Sequence, residues 1–145
     1  MGKADWPRLS IVFPNLNGDK VELKTLLDSI KISSYPQKNL EVIMVDNGST
    51  NHSPAYVAKN FPMVKIIKLA KNYGFSKAVN IGIAKSKGQY IFVTNDDVKL
   101  EKNCLKNIVN YMEKDNSVGI IGSKVYDLKS HQKIASSSLN YKYNK

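Results

Sequence analysis

Apolar residues come in short runs separated by polar breaks, and the runs alternate between two periods. Leu9-Ser10-Ile11-Val12-Phe13 is closed by Pro14, which cannot donate to a central ladder, so it predicts a first strand. The loop Asn15-Leu16-Asn17-Gly18-Asp19 carries helix-capping residues, and Leu23, Leu26, Leu27 and Ile30 then fall at i, i+3, i+4 and i+7 on one helix face. Pro36 lies in the polar stretch that breaks this helix, and Leu40 to Val45 predicts a second, buried strand closed by Asp46-Asn47-Gly48-Ser49-Thr50-Asn51. A short helix over 53–60 stops before Pro62. Val64 to Leu69 reads as a third strand nearer an edge.

The second half repeats the alternation. After Lys71-Asn72-Tyr73-Gly74 a helix is expected with Phe75, Ala78, Val79 and Ile83 facing inward. Tyr90 to Val93 predicts a buried strand, because β-branched and aromatic residues suit a pleated surface. Leu105, Ile108, Val109 and Met112 form another helical stripe, with Cys104 beside it as a small packing residue. Residues 118–122 are strand-like, and 124–128 form another strand or its extension. From Lys129 onward no periodicity is visible, and poor order is expected there.

Strands alternating with helices imply right-handed crossovers and a mostly parallel sheet: an α/β, Rossmann-like fold. Ligands of such sheets bind outside the carboxyl ends of the strands. Those ends carry Asn15, Asp46, Asn72 and the pair Asp96-Asp97. A carboxylate such as Asp46 at a strand end suits a ribose or base, and is equally ordinary as a turn residue. Adjacent carboxylates repel unless a cation lies beside them, and Mg²⁺ or Mn²⁺ prefers oxygen ligands shared with a phosphate. Alone, Asn95-Asp96-Asp97 reads as a solvated turn first. The convergence at one sheet edge reverses that order.

Composition adds bounds rather than a function. The 145 residues suit about one domain, expected over 9–128 after an extension at 1–8. Lys and Arg number 22 against 12 acids, a net +10 that favours anionic partners. The lysines are scattered and no nucleic-acid motif accompanies them, so nucleic acid is not the expected partner. A single cysteine excludes a disulfide framework and a thiolate metal site. His52 and His131 stand without partners at ligand spacing and are not expected to be catalytic. The N-terminus is too polar for a signal peptide and no apolar run is long enough to span a bilayer, so a soluble, cytoplasmic protein is expected. The positive balance would suit a peripheral position on an anionic inner membrane face.

In order and spacing, Ile11-Val12-Phe13-Pro14-Asn15-Leu16-Asn17-Gly18, Tyr35-Pro36, Val45-Asp46-Asn47-Gly48-Ser49-Thr50, Asn72-Tyr73-Gly74-Phe75 with Asn80-Ile81-Gly82, and Gly88 through Asp97 resemble the nucleotide-binding half of a family 2 glycosyltransferase of the GT-A fold. The run Ile120 to Tyr126 followed by Ser136-Ser137-Ser138 is similar to the rhamnosyltransferase-like branch. The resemblance implies inverting transfer of a sugar from a UDP-, dTDP- or GDP-linked donor to a glycan or lipid-linked acceptor hydroxyl. It implies that Pro14, Asn15 and Asn17 line the base and ribose pocket. By the same resemblance Asp46 bonds the base or ribose, and Asn72 and Gly74 lie beside the nucleotide. Asp96 and Asp97 would hold Mg²⁺ or Mn²⁺ on the diphosphate, with Asp96 also touching the ribose. Asn95 replaces the first acid of the family's Asp-X-Asp motif, which leaves the direct ligand open between Asp96 and Asp97. The family's general base lies in a second half, expected beyond Lys145, so no catalytic residue is assigned and the chain reads as truncated. On this reading 129–145 begins the acceptor-binding half. A non-catalytic nucleotide-sugar-binding module is the alternative.

Overall fold

A computed structural model describes residues 6–127 and the backbone of the strands Lys133–Ala135 and Tyr141–Lys142. The chain divides into two compact units, Met1–Lys102 and Asn103–Lys145.

The first unit is built on β1 (Leu9–Asn15), β2 (Leu40–Asp46), β3 (Val64–Lys68) and β4 (Tyr90–Val93), in the order β3-β2-β1-β4 with every pairing parallel. Helices α1 (Lys20–Lys31), α2 (Ser53–Asn60) and α3 (Phe75–Lys85) make the crossovers. The mostly parallel α/β sheet is therefore as the alternation predicts, with β3 at an edge. Asp19 starts α1 by accepting the Val21 and Glu22 amides at 2.7 and 3.3 Å, while Lys31 in its last turn suits the negative end of the helix dipole. Its stripe Leu23, Leu26, Leu27, Ile30 is fully buried.

Period-two alternation sends successive β1 side chains to opposite faces. On one face Val12, Ile43 and Val45 pack with Ala78 of α3. Gly82 makes the close approach of α3 possible: a Cβ there would collide with Val12 Cγ1 and lie 2.9 Å from Val45 Cγ2. Ile11, Phe13 and Met44 are fully buried on the other face, the side to which right-handed crossovers send α1 and α2. The expected N-terminal extension is tied down where it is described. Trp6 packs edge-on against Tyr35 at 5.1 Å, and the Tyr35 hydroxyl donates to the Pro7 carbonyl at 2.6 Å.

Two expectations fail. β4 is not a buried strand: among the described residues it pairs only with β1, and Ile91 and Val93 are each about two-fifths exposed. An apolar run reports the character of its side chains, not how many neighbours the strand has. Phe75 does not face inward either. It is the first residue of α3 and is 55% exposed, and the buried stripe begins one turn later with Ala78.

The second unit contains α4 (Cys104–Lys114), with Leu105 and Val109 buried, and β5 (Val118–Ile120), β6 (Val125–Tyr126), β7 (Lys133–Ala135) and β8 (Tyr141–Lys142). β5 pairs antiparallel with β8 and β6 with β7, so strands occur in the stretch expected to be aperiodic. The motif residues 136–138, His131 and residues 1–5 lie outside the described residues.

Candidate functional site

The strand order reverses between β1 and β4: the chain steps from β1 to β2 to β3, then returns past β1 to place β4. A crevice opens outside the carboxyl ends at such a switch point. In the first unit a cleft of about 360 Å³ lies there. Pro14, Asn15 and Leu16 line it from the end of β1, and Asn47 from the end of β2. Asn72, Gly74 and Phe75 enter from the loop before α3, and Asn95, Asp96 and Asp97 from the end of β4. No lining residue is cationic.

Each wall is held by backbone as well as side chains. The Thr94 amide donates to the Val12 carbonyl at 3.1 Å, carrying the β1–β4 ladder to the residue before Asn95. Beyond the acids the Leu100 amide donates to Ser29 Oγ at 3.0 Å and so returns the segment to α1. The Asn15 amide group donates to Ser49 Oγ and Ser53 Oγ at 3.0 and 3.1 Å. Its Oδ1 is buried and has no partner. Gly18 packs over that oxygen and the Asp96 carboxylate: a Cβ at Gly18 would clash with Asn15 Oδ1 and lie 2.8 Å from Asp96 Oδ2.

The residues expected from sequence divide into two groups. Pro14, Asn15, Asn72, Gly74, Asp96 and Asp97 come together around the cleft. Asn17 and Asp46 turn their side chains into the loop after β2. Asn17 takes a left-handed conformation (φ 54°), and its Oδ1 accepts the Thr50 and Asn51 amides at 2.8 and 3.1 Å. Asp46 is buried, and its Oδ1 accepts the Ser49 amide at 3.0 Å. Sequence reasoning missed Leu16, Asn47 and Phe75 as lining residues, and named Asn95 only as a departure from the motif. The signal for Asn47 was its place directly after a buried strand, in a turn otherwise rich in exposed polar residues.

Burial pushes the Asp96 carboxyl above its ordinary value of 3.8, and the charges of Asp97 and Glu22 push it further. A bond from its own backbone amide offsets part of this. The folded chain thus holds a proton at Asp96 more tightly than the unfolded chain does. Ionised Asp96 costs stability; the cost is absent below 3.8, grows between 3.8 and the raised value, and is complete above it. Asp96→Asn is therefore expected to raise the thermal midpoint at pH 7 without divalent cations. That gain should shrink as the pH falls toward 4. Melting curves of both proteins across this range check it; an equal or lower midpoint for the variant at pH 7 would contradict the cost of ionising this buried carboxyl.

A divalent cation fits these residues. Among the described residues no group of three His, Cys, Asp or Glu could form a full protein cage. What the cleft offers is two adjacent carboxylates and a buried amide oxygen lacking a partner. Mg²⁺ and Mn²⁺ are commonly held this way, by one or two carboxylates with the remaining positions left to phosphate and water.

The glycosyl transferase family 2 profile matches residues 10–144. The chain belongs to this family. Glycosyltransferase GlyG of Streptococcus pneumoniae is 28% identical over 119 residues, a match covering 79% of this chain and 38% of that protein. Among solved structures, the mannosyltransferase PcManGT from Pyrobaculum calidifontis, in complex with GDP-Man and Mn²⁺, superposes with a TM-score of 0.75 at 26% identity. It is covered over 37% of its length by 86% of this chain. Staphylococcus aureus TarS in complex with UDP-GlcNAc shares the fold, with a TM-score of 0.68 at 20% identity over 85% of this chain and 41% of that one. This family 2 chain thus has the GT-A architecture, and spans about two-fifths of the length of these proteins.

Proposed function

We propose that this chain is the donor-binding part of an inverting, metal-dependent glycosyltransferase that moves a sugar from a nucleoside diphosphate to an acceptor hydroxyl. The observation that carries the reading is the cleft at the β1/β4 switch point, which Asn15, Asn47, Asn72 and the Asp96-Asp97 pair line together. Pro14, Asn15, Asn72 and Gly74 would bind the nucleoside, with Asp46 and Asn17 supporting the loop after β2. Asp96 and Asp97 would hold Mg²⁺ or Mn²⁺. Such an ion would offset the negative charge that builds on the departing diphosphate. The chain's own residues orient the donor and keep the sugar–phosphate bond in a fixed place; the proton leaving the acceptor needs a base that none of the proposed donor-binding residues supplies. A mannosyltransferase bound to GDP-Man and Mn²⁺ is among the relatives, which supports both donor class and metal. No helix among the described residues is long and apolar enough to cross a membrane. A cytoplasmic position, peripheral to the membrane where the acceptor is lipid-linked, is part of the proposal.

Calorimetric titration with UDP, GDP and dTDP, each with and without Mn²⁺, tests the reading. One nucleotide is expected to bind, and more tightly with the metal. Absence of binding for all three under both conditions would overturn it.

A further inference from the structure

We propose that Asn47 is a positioning residue of the cleft: its buried amide fixes the conformation of Asn72, Tyr73 and Gly74, and thereby the wall that faces the nucleotide. The proposal rests on the donor-site reading above and assigns a role that the expected site residues leave empty.

Asn47 is 4% exposed, although it lies in a polar turn. Its backbone amide donates to the Asn15 carbonyl at 2.8 Å, so it extends the β1–β2 ladder by one residue and inherits the rigidity of the sheet. All of its side-chain bonds go to one loop. Nδ2 donates to Asn72 Oδ1 at 2.9 Å and to the Gly74 carbonyl at 3.3 Å, and Oδ1 accepts the Tyr73 amide at 2.9 Å. Asn72 Oδ1 also accepts the Gly74 amide at 2.8 Å, which closes the loop on itself. Backbone donors fix the orientation of both amides, since Tyr73 N–H and Gly74 N–H each require an oxygen.

The neighbouring backbone meets the same loop. Gly48 has φ +85°, and a Cβ there would sit 2.6 Å from the Lys71 carbonyl carbon, so the two loops meet backbone to backbone. Gly74, also at φ +85°, opens α3 without a side-chain cap. The loop has no regular structure of its own between β3 and α3. Asn47 replaces that missing structure with three bonds from the sheet end. Asp at this position would keep the acceptor for Tyr73 and lose both donors, placing a carboxylate oxygen against Asn72 Oδ1 and the Gly74 carbonyl.

The test compares the unmodified chain with Asn47→Ala and Asn47→Asp. Three measurements are made on each: the thermal midpoint, hydrogen exchange at the Tyr73 and Gly74 amides, and the affinity for the nucleotide that binds best with Mn²⁺. Both variants are expected to bind about tenfold more weakly or worse, the scale of loss seen when a residue that orients a ligating side chain is removed. The Tyr73 amide should exchange faster in Asn47→Ala and stay protected in Asn47→Asp, which retains its acceptor. Should Asn47→Ala not fold, Asn47→Asp decides alone. A folded variant with affinity within about twofold of the unmodified chain would overturn the positioning role. If instead the unmodified chain binds no nucleotide, the donor-site reading fails, and with it the role resting on it.

Discussion

Asp97→Ala and Asp96→Ala are each expected to weaken metal-assisted nucleotide binding by roughly 100-fold or more, about 2.8 kcal/mol at 1.4 kcal/mol per tenfold. The pair lies at the end of β4, next to an amide oxygen that no protein group satisfies. Removing either carboxylate halves the anionic charge the cleft can set against the ion, leaving more of its hold to phosphate and water. Because both would act on one ion, their losses should not add, and the double variant should bind little worse than the poorer single one. Calorimetry with and without Mn²⁺ separates the terms: the variants should lose the metal-dependent part. Asp28→Ala, which removes an exposed carboxylate paired with Lys24, is the control and should change nothing. Retention of metal-dependent binding in the double variant would show that the Asn-Asp-Asp segment is only a turn.

The largest stability effect is expected at Phe13. Its ring is fully buried in β1, the strand that pairs with both β2 and β4. Phe→Ala in a packed interior costs about 3–5 kcal/mol, from lost transfer energy and the cavity left behind. A domain of this size holds about 5–15 kcal/mol in all. Phe13→Ala should therefore unfold a large share of the molecules at modest urea concentrations, with the midpoint shifted well below that of the parent. Phe13 lies two residues before Asn15, so slackening β1 also loosens the wall that carries the cleft. A shift of less than about 1 kcal/mol would mean that the site collapses around the missing ring.

Much of the first unit was legible in the chain. β1, α1 and β2 follow from apolar runs and one clean helical stripe, and the carboxyl-end rule led to Asn15, Asn72 and the acid pair. The rest depended on contacts between distant segments. The three bonds of Asn47 reach 25 to 27 positions along the chain, and those of Asn17 to the second loop reach 33 and 34. Local pattern cannot say which loop an amide meets. For β4 the pattern described the side chains correctly and was silent on the missing neighbour. Phe75 matched the helical period, yet a residue at the first position of α3 lies ahead of the face that touches the sheet.

The cleft offers no positive charge of its own, though the chain as a whole carries +10. A polyphosphate entering it alone would meet two carboxylates, and a divalent ion entering alone would find too few oxygens. Each guest supplies what the other lacks. Their binding should then be reciprocally linked: whatever factor the ion adds to the nucleotide's affinity, the nucleotide must add to the ion's. The pocket would behave as a coincidence detector, filling most readily when both are present.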